Sequence, residues 1–167
     1  MKFLGAMLCF LASFGIGFSA GKNERIRTAE CEAFLELFVY IQNQVGYFLA
    51  PTKLMYQNFH NEVLEKTGFL EALASHEKDD VYFDVWTDAL ARTRASMKLS
   101  EAQYEIVRAF GSSIGKSNEE LQLKHLEYYT KAMRAETEKQ KAVLEKNVKL
   151  YRTLGFAIGA AIVIFVI

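Results

Sequence analysis

Residues 117–152 read SNEELQLKHLEYYTKAMRAETEKQKAVLEKNVKLYR, and this stretch decides the fold. Ser117 and Glu120 have the spacing of a capping box, which predicts that a helix begins there. Neither glycine nor proline interrupts the stretch, so we expect one helix from Asn118 through Arg152 that continues into the apolar residues beyond. A rod of roughly 50 residues would be about 75 Å long, because an α-helix rises about 1.5 Å per residue.

The two halves of this helix differ in polarity. The first half carries an apolar stripe at three-and-four spacing, which predicts packing against a bundle: Leu123, Leu126, Tyr129 and Met133. The second half is polar on nearly every side: Glu136, Thr137, Gln140 and Asn147. We therefore expect the second half to stand in solvent as a C-terminal stalk or to pair weakly with another helix.

Residues 22–152 favour helices throughout. Pro51 and four glycines are the only residues there that break regular structure, which is too little punctuation for a β fold. Apolar residues from Ile26 to Phe48 recur at the spacing of one helix face. The predicted fold class is all-α, a helical bundle of about five to six helices whose last helix is long.

Shorter helices are predicted between the two long ones. One begins at Pro51 and ends at Gly68, a brief helical turn follows, and the next helix carries Trp86 on its inward stripe. A capping box from Ser100 begins a further helix, for which Gly111 is the expected C′ residue. We expect Trp86 to lie in the core rather than at a partner interface.

Both ends of the chain are apolar. No charged residue occurs from Phe3 to Ala20, and none occurs from Thr153 to Ile167. Eighteen residues of helix reach about 27 Å, which is close to the hydrocarbon thickness of a bilayer. The sequence thus predicts a transmembrane helix in residues 1–21, a helical domain in 22–152 and a second transmembrane helix in 153–167.

Basic residues flank both apolar ends on the side of the middle domain: Lys22, Arg25, Arg27, Lys146, Lys149 and Arg152. Such flanks predict a cytoplasmic middle domain in a two-span cell-membrane protein, with both termini on the outer side. The small residues Ser19-Ala20-Gly21 leave an alternative open, because they would also suit a signal peptidase. In that case the domain would be external, as part of a secreted, tail-anchored protein.

No arrangement of residues points to chemistry. The 20 basic and 20 acidic residues balance, which excludes nucleic-acid binding by bulk charge. The three histidines lie far apart, and the glycines within Gly111–Ser117 stand one residue too close for a phosphate loop. Neither Cys9 nor Cys31 has a histidine nearby. We predict no catalytic, cofactor or metal site and no small-molecule substrate; a membrane-bound enzyme or sensor is the alternative.

Several blocks of sequence resemble one known family. They are QVGY at 44–47, VWTDAL at 85–90, FGSSIGKSNEELQ at 110–122 and LYRTLG at 150–155. The pattern, which covers nearly the whole chain, resembles the stage III sporulation protein AB family of endospore-forming bacteria. The chain departs from that family at Gln44 and Asn118, where a glutamate and an aspartate are usual.

The resemblance implies a non-enzymatic membrane component of the channel complex between mother cell and forespore, on the mother-cell side. Its helical domain would be similar to the inner-membrane platform protein of type II secretion and type IV pilus systems. The implied partners are a cytoplasmic secretion-type ATPase similar to stage III sporulation protein AA, other membrane proteins of the same complex, and membrane lipid. A partner ATPase would be met at the end of the domain away from the membrane.

The helix from Asn118 starts farthest from its membrane anchor. Glu119, Glu120 and Lys124 in its first turns, next to the Gly111–Ser117 loop, are therefore the candidate partner-docking residues. The same residues also form a plain capping arrangement, which is the structural alternative to docking.

Overall fold

The computed structural model describes residues 2–47, 56–75, 82–115 and 119–166. These residues form helices α1 (Lys2–Tyr47), α2 (Glu62–Thr67), α3 (Phe69–Ala74), α4 (Tyr82–Thr93), α5 (Glu101–Ser112) and α6 (Glu119–Val166), and a short 3-10 helix at Arg94–Ser96. No strand occurs within the described ranges, and the predicted all-α class is confirmed.

Helices α1 and α6 are much longer than the others. They contain 46 and 48 residues, so each is about 70 Å long. They also make the most extensive helix–helix contact of the described chain. Glu24 meets Gln140, whereas Cys31, two turns further along α1, lies near Glu136, one turn earlier on α6. The two helices are therefore antiparallel, and the long last helix is confirmed.

The shorter elements pack on one part of α1. The backbone of Lys98 contacts Arg27, and Asn61 donates a hydrogen bond to Glu36. The ring of Tyr40 lies 5.1 Å from that of Phe59. Because these contacts fall between positions 27 and 40 of α1, the bundle is built on the middle and the C-terminal half of that helix.

Trp86 lies at the centre of the core, as predicted. Its side chain is fully buried, and its indole Nε1–H donates to the Val107 carbonyl at 3.0 Å. The Phe69 ring meets it edge-on at 5.2 Å, and the Phe110 ring lies 5.9 Å away. Phe110 in turn stacks on Phe38 of α1, so one aromatic cluster joins α1, α3, α4 and α5.

The predicted role of Gly111 as a C′ residue is wrong. The residue lies inside α5, which ends with Ser113 as its C-cap. A Cβ atom on Gly111 would overlap the Trp86 ring, so glycine is needed there because the α5 backbone passes directly over the indole. The left-handed residue in this region is Gly115, with φ 76°.

The helix predicted from Pro51 to Gly68 is interrupted. Residues 59–61 are not helical, and Asn61 begins α2 by accepting hydrogen bonds from the backbone N–H groups of Val63 and Leu64. Gly68 ends α2 with φ 80°, as predicted. Pro51 lies outside the described residues.

The apolar ends continue the two long helices. The backbone is helical from Lys2 in α1 and as far as Val166 in α6. The side chains of residues 2–20 and most of those beyond Leu150 lie outside the described residues. Within what the structure describes, no helix combines the length and the apolar character that crossing a membrane requires.

Candidate docking surface and its supports

The candidate docking residues lie at the start of α6, where Glu120 and Lys124 form an ion pair of 2.7 Å one turn apart. Both side chains are largely exposed, at 81% and 66%. The side chain of Glu119 lies outside the described residues, together with Ser117 and Asn118. The structure thus describes two of the three candidates, and they contact each other.

A second ion pair continues this surface. Glu127 and Lys131 are 2.6 Å apart, and the hydrogen bond from Lys131 lowers the pKa of the Glu127 carboxyl. Tyr128, which follows Glu127 in the sequence, is 66% exposed and packs edge-on against Tyr129. We define the distal face as Glu120, Lys124, Glu127, Tyr128 and Lys131. It presents two carboxylates, two ammonium groups and one aromatic ring to solvent.

The basic residues predicted to mark the membrane boundary lie toward the other end of the α1–α6 pair. Lys22, Arg25, Lys146 and Lys149 are exposed, and the Arg152 side chain lies outside the described residues. Arg27 is the exception, because it pairs with Glu24 at 3.2 Å and donates to the Lys98 carbonyl at 2.7 Å. Because the helices are antiparallel and Glu24 lies opposite Gln140, both basic flanks lie toward the same end of the pair, with Lys146 and Lys149 about 6–10 Å nearer the apolar ends than Lys22.

A polar seam joins α1, α5 and α6 above these flanks. Gln140 donates to the Glu24 carboxylate at 2.5 Å and accepts from the Gln103 amide at 3.3 Å. Thr137 is 1% exposed, and its hydroxyl donates to the Met133 carbonyl of its own helix. We define the polar seam as Glu24, Gln103, Thr137 and Gln140.

The polar seam decides between the two expectations for the second half of α6. Gln140 is buried, and Lys141 pairs with Glu32 of α1 at 3.0 Å. The second half is therefore paired with α1 at least as far as Lys141. A sequence signal for this existed, since Thr130, Thr137 and Gln140 continue the three-and-four spacing of Leu126 and Met133.

A second feature, the loop clamp, holds residues 97–100 against α1. Glu30 is 1% exposed, and its carboxylate accepts the Lys98 N–H at 2.6 Å, with the Leu99 backbone as a further partner. Arg27 holds the Lys98 carbonyl from the other side. Burial raises the pKa of Glu30, although the backbone hydrogen bonds oppose this rise. The loop clamp consists of Glu30 and Arg27.

Cys31 and His60 are two further ionisable groups of the described chain. Burial, and then the nearby Glu30, raises the pKa of the Cys31 thiol to about 12, so it is not a thiolate nucleophile at neutral pH. His60 lies 3.3 Å from Glu65 and is 81% exposed. Among the described residues, no group of three or more His, Cys, Asp or Glu side chains converges as a metal site would require.

One known protein family matches the chain over nearly its whole length. The family model for stage III sporulation protein AB matches residues 2–167. The chain belongs to this family. Stage III sporulation protein AB of Bacillus subtilis (strain 168) is 22% identical to it over 170 residues, and the match covers 98% of each chain.

A solved structure of stage III sporulation protein AB shares its fold, with a TM-score of 0.59 at 15% identity. That match covers 72% of this chain and 97% of the other. The family resemblance predicted from the sequence is thus confirmed, and a general role in sporulation follows from the family. Of the two departures from the family pattern, Gln44 is half-buried near the end of α1, and Asn118 lies outside the described residues.

Proposed function

We propose that this protein is a non-enzymatic membrane platform of a stage III sporulation channel complex, which couples a cytoplasmic secretion-type ATPase to membrane partners. The observation that carries the proposal is the antiparallel α1–α6 pair. It brings both apolar ends to one end of the molecule and carries the folded bundle beyond them. This geometry suits a scaffold that must reach from a membrane to a cytoplasmic partner.

In this proposal residues 1–21 and 153–167 are the membrane anchors, and residues 22–152 face the mother-cell cytoplasm. The apolar composition of both ends and the unbroken helical backbone through them support it. From Gly21 to Tyr47, α1 would extend about 40 Å beyond the apolar segment. The distal face at the start of α6 would stand near that height, within reach of a cytoplasmic assembly.

The topology is tested with an alkaline phosphatase reporter that is active only outside the cytoplasm. We expect activity when the reporter follows Ile167 and none when it is inserted after Gly115, an exposed residue in the turn after α5. An active reporter at Gly115 would overturn the cytoplasmic placement and favour the external, tail-anchored alternative.

Partner docking is tested by reversing one ion pair. The double substitution Glu120→Lys with Lys124→Glu keeps an ion pair at the same spacing, so it changes helix stability by only a few tenths of a kcal/mol. If the distal face recognises the ATPase by charge, the variant should lose ATPase co-purification and form few spores. Normal co-purification and sporulation in the stably folded variant would eliminate Glu120 and Lys124 as the contact.

The matched control is the same reversal at the neighbouring pair, Glu127→Lys with Lys131→Glu. It lies two turns further along α6 and has similar spacing and exposure. A loss restricted to the first variant would place the contact on the first turns of α6. A loss in both variants would extend the contact along the whole distal face.

A further inference from the structure

The described cations of this protein fall into two groups. Most of them lie within 4.0 Å of a carboxylate, and they belong to α1, to α6 and to the shorter elements between them: Arg27, Lys66, Arg92, Arg94, Arg108, Lys124, Lys131, Lys139 and Lys141. Their charges are compensated inside the molecule. These residues therefore offer little uncompensated charge to an external anion.

The second group has no carboxylate within 4.0 Å among the described residues, although the charge of Lys98 does act on Glu30. It comprises exposed side chains: Lys22, Arg25, Lys98, Arg134, Lys146 and Lys149. Five of them lie toward the end of the molecule from which the apolar helices leave, and Arg134 lies on α6 about one turn beyond the level of Lys98. Cations without a carboxylate within 4.0 Å are thus concentrated at that end.

The structure brings Lys98 into this group from a distant part of the sequence. Its backbone is held by Arg27 and Glu30, which are 71 and 68 residues away. Both residues stand within three turns of Ala20, which places the loop about 10–15 Å along α1 from the apolar segment. The polar headgroup layer adds about 5–7 Å to each side of the hydrocarbon core. The Lys98 backbone is therefore held just above the headgroup layer of an anchored chain.

We propose that Lys22, Arg25, Lys98, Lys146 and Lys149 form a binding edge for anionic phospholipid headgroups. The proposal rests on the membrane anchoring put forward above. The cations surround the exit of the two apolar helices on three elements, α1, α6 and the 97–100 loop. A layer of anionic headgroups would supply the negative charge that these side chains lack, and the attraction is worth about 1 kcal/mol per cation near the surface.

The test uses the full chain reconstituted in mixed bilayers of phosphatidylcholine and phosphatidylglycerol. Spin-labelled forms of the two lipids report, by electron spin resonance, how strongly each associates with the protein. We expect a preference for phosphatidylglycerol that weakens as salt is added. Lys98→Gln should lower this preference by up to about five-fold, and Lys98→Arg should retain it. The hydrogen bonds of the clamp involve only the backbone of residue 98, so both substitutions keep these hydrogen bonds.

Lys66→Gln is the control for net charge, because it removes one exposed lysine from α2, whose N-cap Asn61 contacts Glu36, about 24 Å along α1 from Ala20. Its lipid preference should equal that of the unsubstituted chain. An equal loss in Lys66→Gln and Lys98→Gln would overturn the binding edge in favour of net charge alone. The binding edge would also be overturned if all five cations were replaced by glutamine and the preference for phosphatidylglycerol remained.

Failure of the anchoring itself has a separate signature. Alkaline carbonate extraction of the reconstituted vesicles shows whether the chain is inserted at all. A chain that is extracted would overturn both the proposed anchoring and the edge built on it. A chain that resists extraction but shows equal affinity for both lipids would overturn only the edge.

Discussion

Two regions of the α1–α6 pair are held by different contacts. Around Phe34 and Phe38, α1 meets the aromatic cluster, and the Phe38 and Phe110 rings stack with centroids 3.6 Å apart. Nearer the apolar ends, Glu24 and Glu30 make hydrogen bonds to α6 and to the 97–100 loop. Apolar burial is non-directional and scales with area, whereas hydrogen bonds fix distance and angle. We infer that the aromatic region supplies most of the stability and the polar region sets register.

The largest expected effect is in the aromatic region. Trp86→Ala should lower the free energy of unfolding by about 3–5 kcal/mol, because it empties a fully buried site and removes the hydrogen bond to Val107. Denaturant melts of the detergent-solubilised chain, followed by circular dichroism, measure the change. Tyr128→Ala is the control for an exposed aromatic residue and should change stability by less than about 0.5 kcal/mol. An unchanged denaturation midpoint for Trp86→Ala would show that the aromatic region does not supply most of the stability.

The next effect concerns the close approach of α5 to the indole. Gly111→Ala should destabilise the chain by about 1–3 kcal/mol, because the added methyl group overlaps the Trp86 ring. Alanine is otherwise the better helix former, so the helical Gly21, with nothing within 4 Å of its Cβ position, gives the matched control. Gly21→Ala should be neutral or stabilising by up to about 1 kcal/mol. If both substitutions stabilise the chain, then α5 can move away from Trp86 at little cost.

The two regions also differ in how far the sequence predicted them. The aromatic region follows from apolar periodicity, and the capping box at Ser100 and Gln103 forms as expected. The loop clamp could not be predicted, because Arg27 and Glu30 bind backbone atoms of Lys98, and such contacts leave no pattern in side-chain spacing. The prediction for Gly111 is wrong for a related reason, since a glycine required by packing and one required by a positive φ look the same in a sequence.

The loop clamp should have an intermediate effect on stability. Glu30→Ala leaves the Lys98 N–H and its neighbour without their acceptor and should cost about 1–3 kcal/mol. Glu30→Gln keeps an acceptor oxygen without the charge, so it should cost less than Glu30→Ala at neutral pH. Equal losses in the two variants would indicate that the charge of Glu30, rather than its hydrogen bonds, holds the loop.

A comparison of the unsubstituted chain with Glu30→Gln also tests how the stability depends on pH. Burial raises the pKa of Glu30 above 4.5, so the folded chain holds this proton more tightly than the unfolded chain does. Its contribution to stability is therefore fully present below pH 4.5 and is lost as the pH rises through the raised value. The unsubstituted chain should lose stability relative to Glu30→Gln over that window. If the difference in unfolding free energy between the two chains stayed constant with pH, it would contradict the raised pKa of Glu30.

The smallest effect is expected in the polar seam. Gln140 donates to Glu24 across the α1–α6 contact, and one such hydrogen bond contributes about 0.5–1.5 kcal/mol net. A double-mutant cycle with Glu24→Ala and Gln140→Ala should give a coupling energy in that range. The exposed pair Glu127 and Lys131, within one helix, is the control and should couple by only about 0.3–0.5 kcal/mol. A seam that sets register must couple more strongly than this surface pair, because its two partners lie on different helices and only one alignment brings them together. Zero coupling between Glu24 and Gln140 would mean that the aromatic region fixes register as well as stability.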